Sequence, residues 1–294
     1  MKSVGKFFFC AAACGLFQIA TAPAVSATPF LGTAATVAVL GAAAVTNTGA
    51  TTLSGDLDVS PGTSITGSST ITLIGTSAEH KTDPTAALAL NNANSAFTTL
   101  AGLTPTGSLG GDLTGDVVGV GVWDVGLAPF NLDTNGVLTL NFNNLSDQNI
   151  VFRTGASTLI TGSGSSVVVE NAGLNDNVFW QVGSAATIGT TTSFVGYIIA
   201  SAQVAMQTGA TDGCGGVISL TAAVTLDHNT ISNTCTMSTT STAAQVIPTV
   251  TDSGATVPVP EPSTLLLLGT GMAGLVAQRK RFGAGRELDR SHKA

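Results

Sequence analysis

Charge is the scarcest property of this chain. Asp, Glu, Lys and Arg make up 9% of its 294 residues, and the basic ones are almost confined to the ends. Lys2 and Lys6 lie at the start and six more follow Gln278, so only Lys81 and Arg153 stand between. That central region carries fifteen Asp and Glu residues, which excludes electrostatic capture of nucleic acid or anionic lipid. Catalytic signatures are missing too: there is no G-x-S-x-G, no Walker A loop and no H-E-x-x-H. Two isolated basic residues give acid–base chemistry little to work with. The chain is read as a non-enzyme with no cofactor.

Metal-binding patterns are equally scarce. Asp112, Asp116, Asp124 and Asp133 sit in Gly-rich text without an EF-hand pattern or a Gly-Gly-x-Gly-x-Asp repeat, and read as turn caps. Neither His80 nor His228 has a second ligand at metal spacing. Four cysteines are present, and Cys10 and Cys14 fall in an apolar leader. Cys214 and Cys235 then remain; in an exported protein such a pair invites a disulfide, and its spacing is unlike a zinc site.

What the chain does have is apolar residues, 44% of the total, with 35 Gly and abundant Thr, Ser, Ala and Asn. This excludes a disordered composition and suits an all-β protein with many turns. From Asn177 to Ile231 short apolar clusters recur: Val178-Phe179-Trp180, Tyr197-Ile198-Ile199, Val204 with Met206, Val217-Ile218. Gly, Thr, Ser or Asn separates them, and no helical period survives. Such short, evenly spaced strands predict a coiling chain. Thr48-Gly49-Ala50-Thr51 matches Thr208-Gly209-Ala210-Thr211, and Thr63/Gly67, Thr158/Gly162 and Thr192/Gly196 share a T-x-x-x-G spacing. One segment differs. Asp83 as N-cap, Pro84 at the first turn and Gly102 as a stop bracket Ala86, Ala89, Leu90, Ala93, Phe97 and Leu100 at helical spacing. Its narrow, Ala-rich face predicts a helix lying flat on a sheet. Trp180, inside an apolar cluster, reads as core.

The two ends read as addresses. Residues 1–27 form a secretory signal peptide: Lys2 and Lys6, an apolar run, then Val25-Ser26-Ala27. Residues 237–256 are a Thr/Ser-rich linker. In 257–282, Pro260-Glu261-Pro262 precedes an apolar run from Leu265 to Ala277 and the cluster Arg279-Lys280-Arg281. The run is short for a full span of roughly 20 residues. This order of parts resembles the PEP-CTERM sorting signal of Gram-negative bacteria. The resemblance implies transient insertion of a transmembrane segment, with 283–294 as a cytoplasmic basic tail. It also implies cleavage by an exosortase-type enzyme and delivery to the cell surface or extracellular matrix. A permanent C-terminal anchor is the alternative.

The stretches NVFWQVGSAATIG, TSFVGYIIA and AVTLDHNTI, with VTNTGATTLSGDLDVSPGTSITG upstream, resemble the bacterial and fungal ice-binding proteins. The resemblance implies, over residues 28–236, a mainly β domain: a right-handed, discontinuous β-solenoid with one long helix alongside. It implies an ice crystal surface as partner and inhibition of ice growth or recrystallisation. On a solenoid, equivalent residues of successive coils stack about 4.8 Å apart, so aligned Thr, Ser and Ala would present a regular grid of hydroxyls and methyls. The repeat-matched candidates are Thr48, Thr51, Thr63, Thr158, Thr187, Thr192, Thr208 and Thr211. A structural or adhesive matrix protein with the same fold is the alternative.

Overall fold

A computed structural model describes residues 28–234, which form a three-sided stack of parallel strands with one long helix beside it. Each coil runs along three sides in turn. The first three strands show the order: Val37–Gly41 on one sheet, Ala44–Thr48 on a second, Thr51–Ser54 on a third. Every pairing between these strands is parallel, joining equivalent sides of neighbouring coils. The strands are two to six residues long. β-branched and aromatic residues favour the extended segments. Asn and Gly supply the left-handed corners, as at Asn135, Asn171 and Gly209.

The stacking order departs from chain order. In the first sheet, strands run Glu79–Lys81, Asp56–Val59, Val37–Gly41, Val217–Ser219, Tyr197–Ala200, Asn177–Val182, Asn149–Arg153, Gly121–Asp124, Gly107–Ser108. The N-terminal coils therefore stack on the last C-terminal coil, with Val39 beside Val217. The helix carries the chain back to the far end, and the remaining coils return toward the start.

Inward residues fill the prism. Phe152 and Trp180 stack at 4.0 Å, and Phe130 meets both edge-on. Trp180 is buried, and its indole N–H donates to the Val195 carbonyl at 3.0 Å. Asp212 also points inward, wholly buried in register between Phe194 and Ile231, and burial pushes its carboxyl well above the usual range. The outer face of the first sheet is apolar instead: Leu40, Val151, Phe179, Tyr197, Ile199 and Ile218 form a second core against the helix.

The helix spans Pro84–Gly102, capped by the Asp83 carboxylate accepting from Ala86 N at 2.9 Å. Ala86, Ala89, Ala93, Ala96 and Leu100 are its buried stripe, close to the predicted face. At its other end Arg153 reaches out of the first sheet. Its guanidinium donates to the carbonyls of Ala101 at 2.7 Å and Leu103 at 2.6 Å and pairs with Asp124 at 2.8 Å. Among the described residues the helix thus covers the first sheet, and the second and third sheets have an uncovered outer face.

Candidate functional site

The register defines the outer face of the second sheet. One outward rank reads Asn131, Ile160, Thr187, Ala205, Thr225, Thr46, Thr66, each residue directly beside the next. A parallel rank of Ala223, Ala44 and Ser64 lies two residues back along the strands. Parallel strands repeat every ~4.8 Å and alternate residues along a strand recur at about 6.6 Å, so these side chains form a two-dimensional grid. No ionisable group stands in either rank. Acids border the grid at both ends: Asp112 is the next register partner beyond Asn131, and Asp227 lies at the corner beside Thr48.

The third sheet presents a different surface. Its outward rank runs Thr72, Thr52, Thr230, Thr211, Ser193, Ser166, Val137. Toward the end nearest Val117–Gly119 it broadens and turns bulky, with Val117, Val137 and Val168 exposed and Glu170 on the same strand as Val168.

The eight threonines picked from sequence scatter over these surfaces. Thr187 lies in the middle of the second-sheet grid, and Thr48 ends a strand of the same sheet. Thr158 directly precedes Leu159–Thr161, two residues before outward Ile160. Thr63 is exposed in the turn before Ser64–Thr66. Thr208 is exposed at the corner, its hydroxyl donating to the Asp227 carboxylate. Thr211 belongs to the third sheet.

Thr51 and Thr192 require correction as surface candidates: each is 1% exposed. They belong to an interior rank, Ser165, Thr192, Ala210, Asn229, Thr51, along the corner between the second and third sheets. The Thr51 hydroxyl donates to Asn47 Oδ1 at 2.7 Å and accepts from Asn229 N at 3.1 Å. The Thr192 hydroxyl lies 3.1 Å from Ser165 Oγ and 3.2 Å from Thr161 Oγ1, and donates to the Gly162 carbonyl at 3.0 Å. Buried hydroxyls here satisfy the backbone of the corner, which an apolar residue could not do. Sequence reasoning missed Thr46, Thr66 and Thr225. Their signal is alternation within the strands AVTNT, SIT and AVTLD, where Val45, Ile65 and Val224 face in and the threonines beside them face out.

Acids near the grid are engaged. The Thr208 hydroxyl and then His228 hold the Asp227 carboxyl below the usual carboxylate range, with His228 Nδ1 2.6 Å from it. The aspartates of the Gly-rich region serve turns: Asp112 accepts from Thr114 N at 3.0 Å, Asp124 from Gly126 N at 2.6 Å, and Asp133 from the Asn131 amide at 3.0 Å. Among the described residues no group of His, Cys, Asp and Glu is arranged to hold a metal ion, and no helix is long and apolar enough to cross a membrane. Cys214 lies at the corner after Thr211–Asp212. Cys235, Pro260, Glu261, Pro262, Arg279, Lys280 and Arg281 lie outside the described residues, as do the signal peptide, the linker and the apolar run.

Residues 39–232 match the model of the ice-binding-like family. An ice-binding protein of Nostoc sp. (strain HG1) is 39% identical over 259 residues, covering 87% of this chain and 88% of that protein. The chain belongs to the ice-binding-like family. Residues 258–281 match the PEP-CTERM protein-sorting motif, which points to export and a surface or extracellular location. Among solved structures, the ice-binding protein of the Antarctic ascomycete Antarctomyces psychrotrophicus has 36% identity and a TM-score of 0.64, covering 70% of this chain and 98% of that one. An ice-binding protein from an Antarctic biological consortium has 30% identity and a TM-score of 0.63, covering 75% and 96%. The family match and the parallel three-sided stack agree on the β-solenoid inferred from the sequence.

Proposed function

We propose that this ice-binding-like protein adsorbs to ice through the outer face of its second sheet and so inhibits ice growth or recrystallisation. The observation that supports this reading is the uncharged rank Thr187, Ala205, Thr225, Thr46, Thr66, with Ala44, Ala223 and Ser64 beside it. Methyl groups make the grid weakly hydrated, while hydroxyls at a fixed repeat hold water in ordered positions. A rigid, preformed face loses little conformational entropy on adsorption, so many weak contacts add. Of the sequence-chosen threonines, Thr187 is central to this face. Thr48 and Thr158 border it, Thr63 and Thr208 lie at its turns, and Thr211 is outside it.

Substitution separates the two open faces. Thr225→Tyr or Thr46→Tyr puts a ring above the grid and is expected to abolish ice shaping and thermal hysteresis, with the thermal midpoint unchanged. Thr211→Tyr, on the third sheet, is expected to retain activity. The reverse pattern would move the site to the third sheet, full activity in all three variants would rule out both faces, and absence of ice shaping and thermal hysteresis in the unaltered protein would favour a structural or adhesive matrix role.

We further propose that Cys214 pairs with Cys235, fastening the chain's exit to the corner. Support comes from Cys214 being engaged as a disulfide half and from Cys235 being the other cysteine beyond the leader. The C-terminal segment is read as inserting transiently in the inner membrane, its apolar run stopped by Arg279, Lys280 and Arg281. Cleavage near Pro260-Glu261-Pro262 by an exosortase-type enzyme follows. The order of parts within the matched sorting motif supports this reading.

A further inference from the structure

Asp58 has no role in the proposed ice face, yet it is placed at a junction. It lies in Asp56–Val59, and its register partners are Leu40 on one side and His80 on the other. Leu40 faces the helix, and Leu57 and Val59 face the prism, so alternation turns Asp58 toward the helix. The helix packs on this strand. Asp58 is 0% exposed, and neither of its carboxyl oxygens has a hydrogen-bond partner. His80 lies in Glu79–Lys81, the outermost strand of the sheet, and its Nδ1 is 2.8 Å from Asp83 Oδ2. Asp83 in turn caps the helix through its other oxygen.

The charged surroundings are few. Asp56, on the same strand, is held by Ala78 N and the Thr36 hydroxyl. Glu79 and Lys81 pair with each other at 3.4 Å on exposed positions. Thr28–Leu31, Gly32–Thr36, Val37–Gly41 and the helix carry no ionisable side chain. An ionised Asp58 would sit among Asp56 and Asp83 with one imidazole to offset them, away from water and without a donor. A neutral carboxyl avoids that cost.

We propose that Asp58, sealed against His80 and Asp83 under the start of the helix, is a proton-operated latch that holds this end of the helix closed in mildly acidic solution and loosens toward neutrality. The sign follows from linkage. Burial pushes the Asp58 carboxyl from 3.8 to about 7, partly offset by His80. A group raised in the folded state contributes stability present below its unfolded value and lost as pH rises through the folded one. The latch is therefore tightest near pH 4 and weakens up to about 7. His80, raised chiefly by its bond to Asp83, extends the loss beyond 6.5. Asp83 is lowered, first by Ala86 N and then by His80, so its capping fails only in stronger acid.

The test is amide hydrogen exchange on the folded protein from pH 4.5 to 8, corrected for intrinsic rates. Protection over residues 79–90 is expected to fall about tenfold per pH unit up to neutrality, while residues 177–182 change less. In Asp58→Asn the fall below pH 6.5 should vanish. Equal protection in the wild type at pH 4.5 and 7, or the same fall in Asp58→Asn, overturns the latch. If Asp58→Asn does not fold, carboxyl titration by NMR of the wild type decides. A midpoint near 7 supports the latch and one near 4 overturns it.

Discussion

Residue by residue, the difference between surface and core is a single step along the chain. Thr51 and Thr192 are buried, whereas their neighbours Thr52 and Ser193 face outward. The two Thr-Gly-Ala-Thr motifs stack one residue out of phase: Thr51 and Ala210 share the interior rank, while Thr52 and Thr211 share the exterior one. A one-residue shift in a strand exchanges its two faces, so identical text can serve opposite roles. This is why a repeat match alone could not sort the threonines, and why half-buried Thr225 and exposed Thr46 went unnoticed beside Val224 and Val45. The two classes predict different chemistry. Thr192→Val removes a hydroxyl contacting Thr161, Ser165 and the Gly162 carbonyl, and should cost about 1–3 kcal/mol by urea unfolding. Thr52→Val, on the outside of the third sheet, should stay within about 0.5 kcal/mol.

At the scale of elements, the helix was the most legible part. Asp83, Pro84, the alanine stripe and Gly102 bracket it locally, and the observed Pro84–Gly102 follows from cap chemistry that needs no distant partner. Its C-terminal anchor was not legible. Arg153 is about fifty residues away from the carbonyls of Ala101 and Leu103, and nothing near it in sequence announces the contact. The one basic residue between Lys81 and the tail is thus spent on the last turn of the helix, where a cation also favours the dipole. Arg153→Leu strands Asp124 and two carbonyls in a largely buried site, and should cost about 3–5 kcal/mol in urea unfolding. Asp124→Asn keeps both carbonyl contacts and should cost about 1–2 kcal/mol.

At the scale of the molecule, the solenoid is closed by contacts between chain segments about 180 residues apart. Ala44–Thr48 lies beside Ala223–Asp227, and Thr51–Ser54 beside Thr230–Ser232. Coiling was readable from the short clusters of 177–231, because each strand carries its own apolar signature. The insertion of the first coils at the end of the stack was not readable, since any two β-rich segments could pair equally well on local grounds. The arrangement makes the N-terminal coils a lid on three otherwise bare edges, Val217–Ser219, Ala223–Asp227 and Thr230–Ser232, and unpaired edges invite association. They also supply Val37 and Leu40 to the core under the helix. A chain of residues 28–236 is therefore expected to melt in one sharp transition by circular dichroism and to elute as a single species. A chain of residues 83–236 should aggregate or melt without cooperativity, although it keeps the helix and more than half of each sheet. If 83–236 melted cooperatively within a few degrees of 28–236, the first coils would be an appendage and not the closure of the stack.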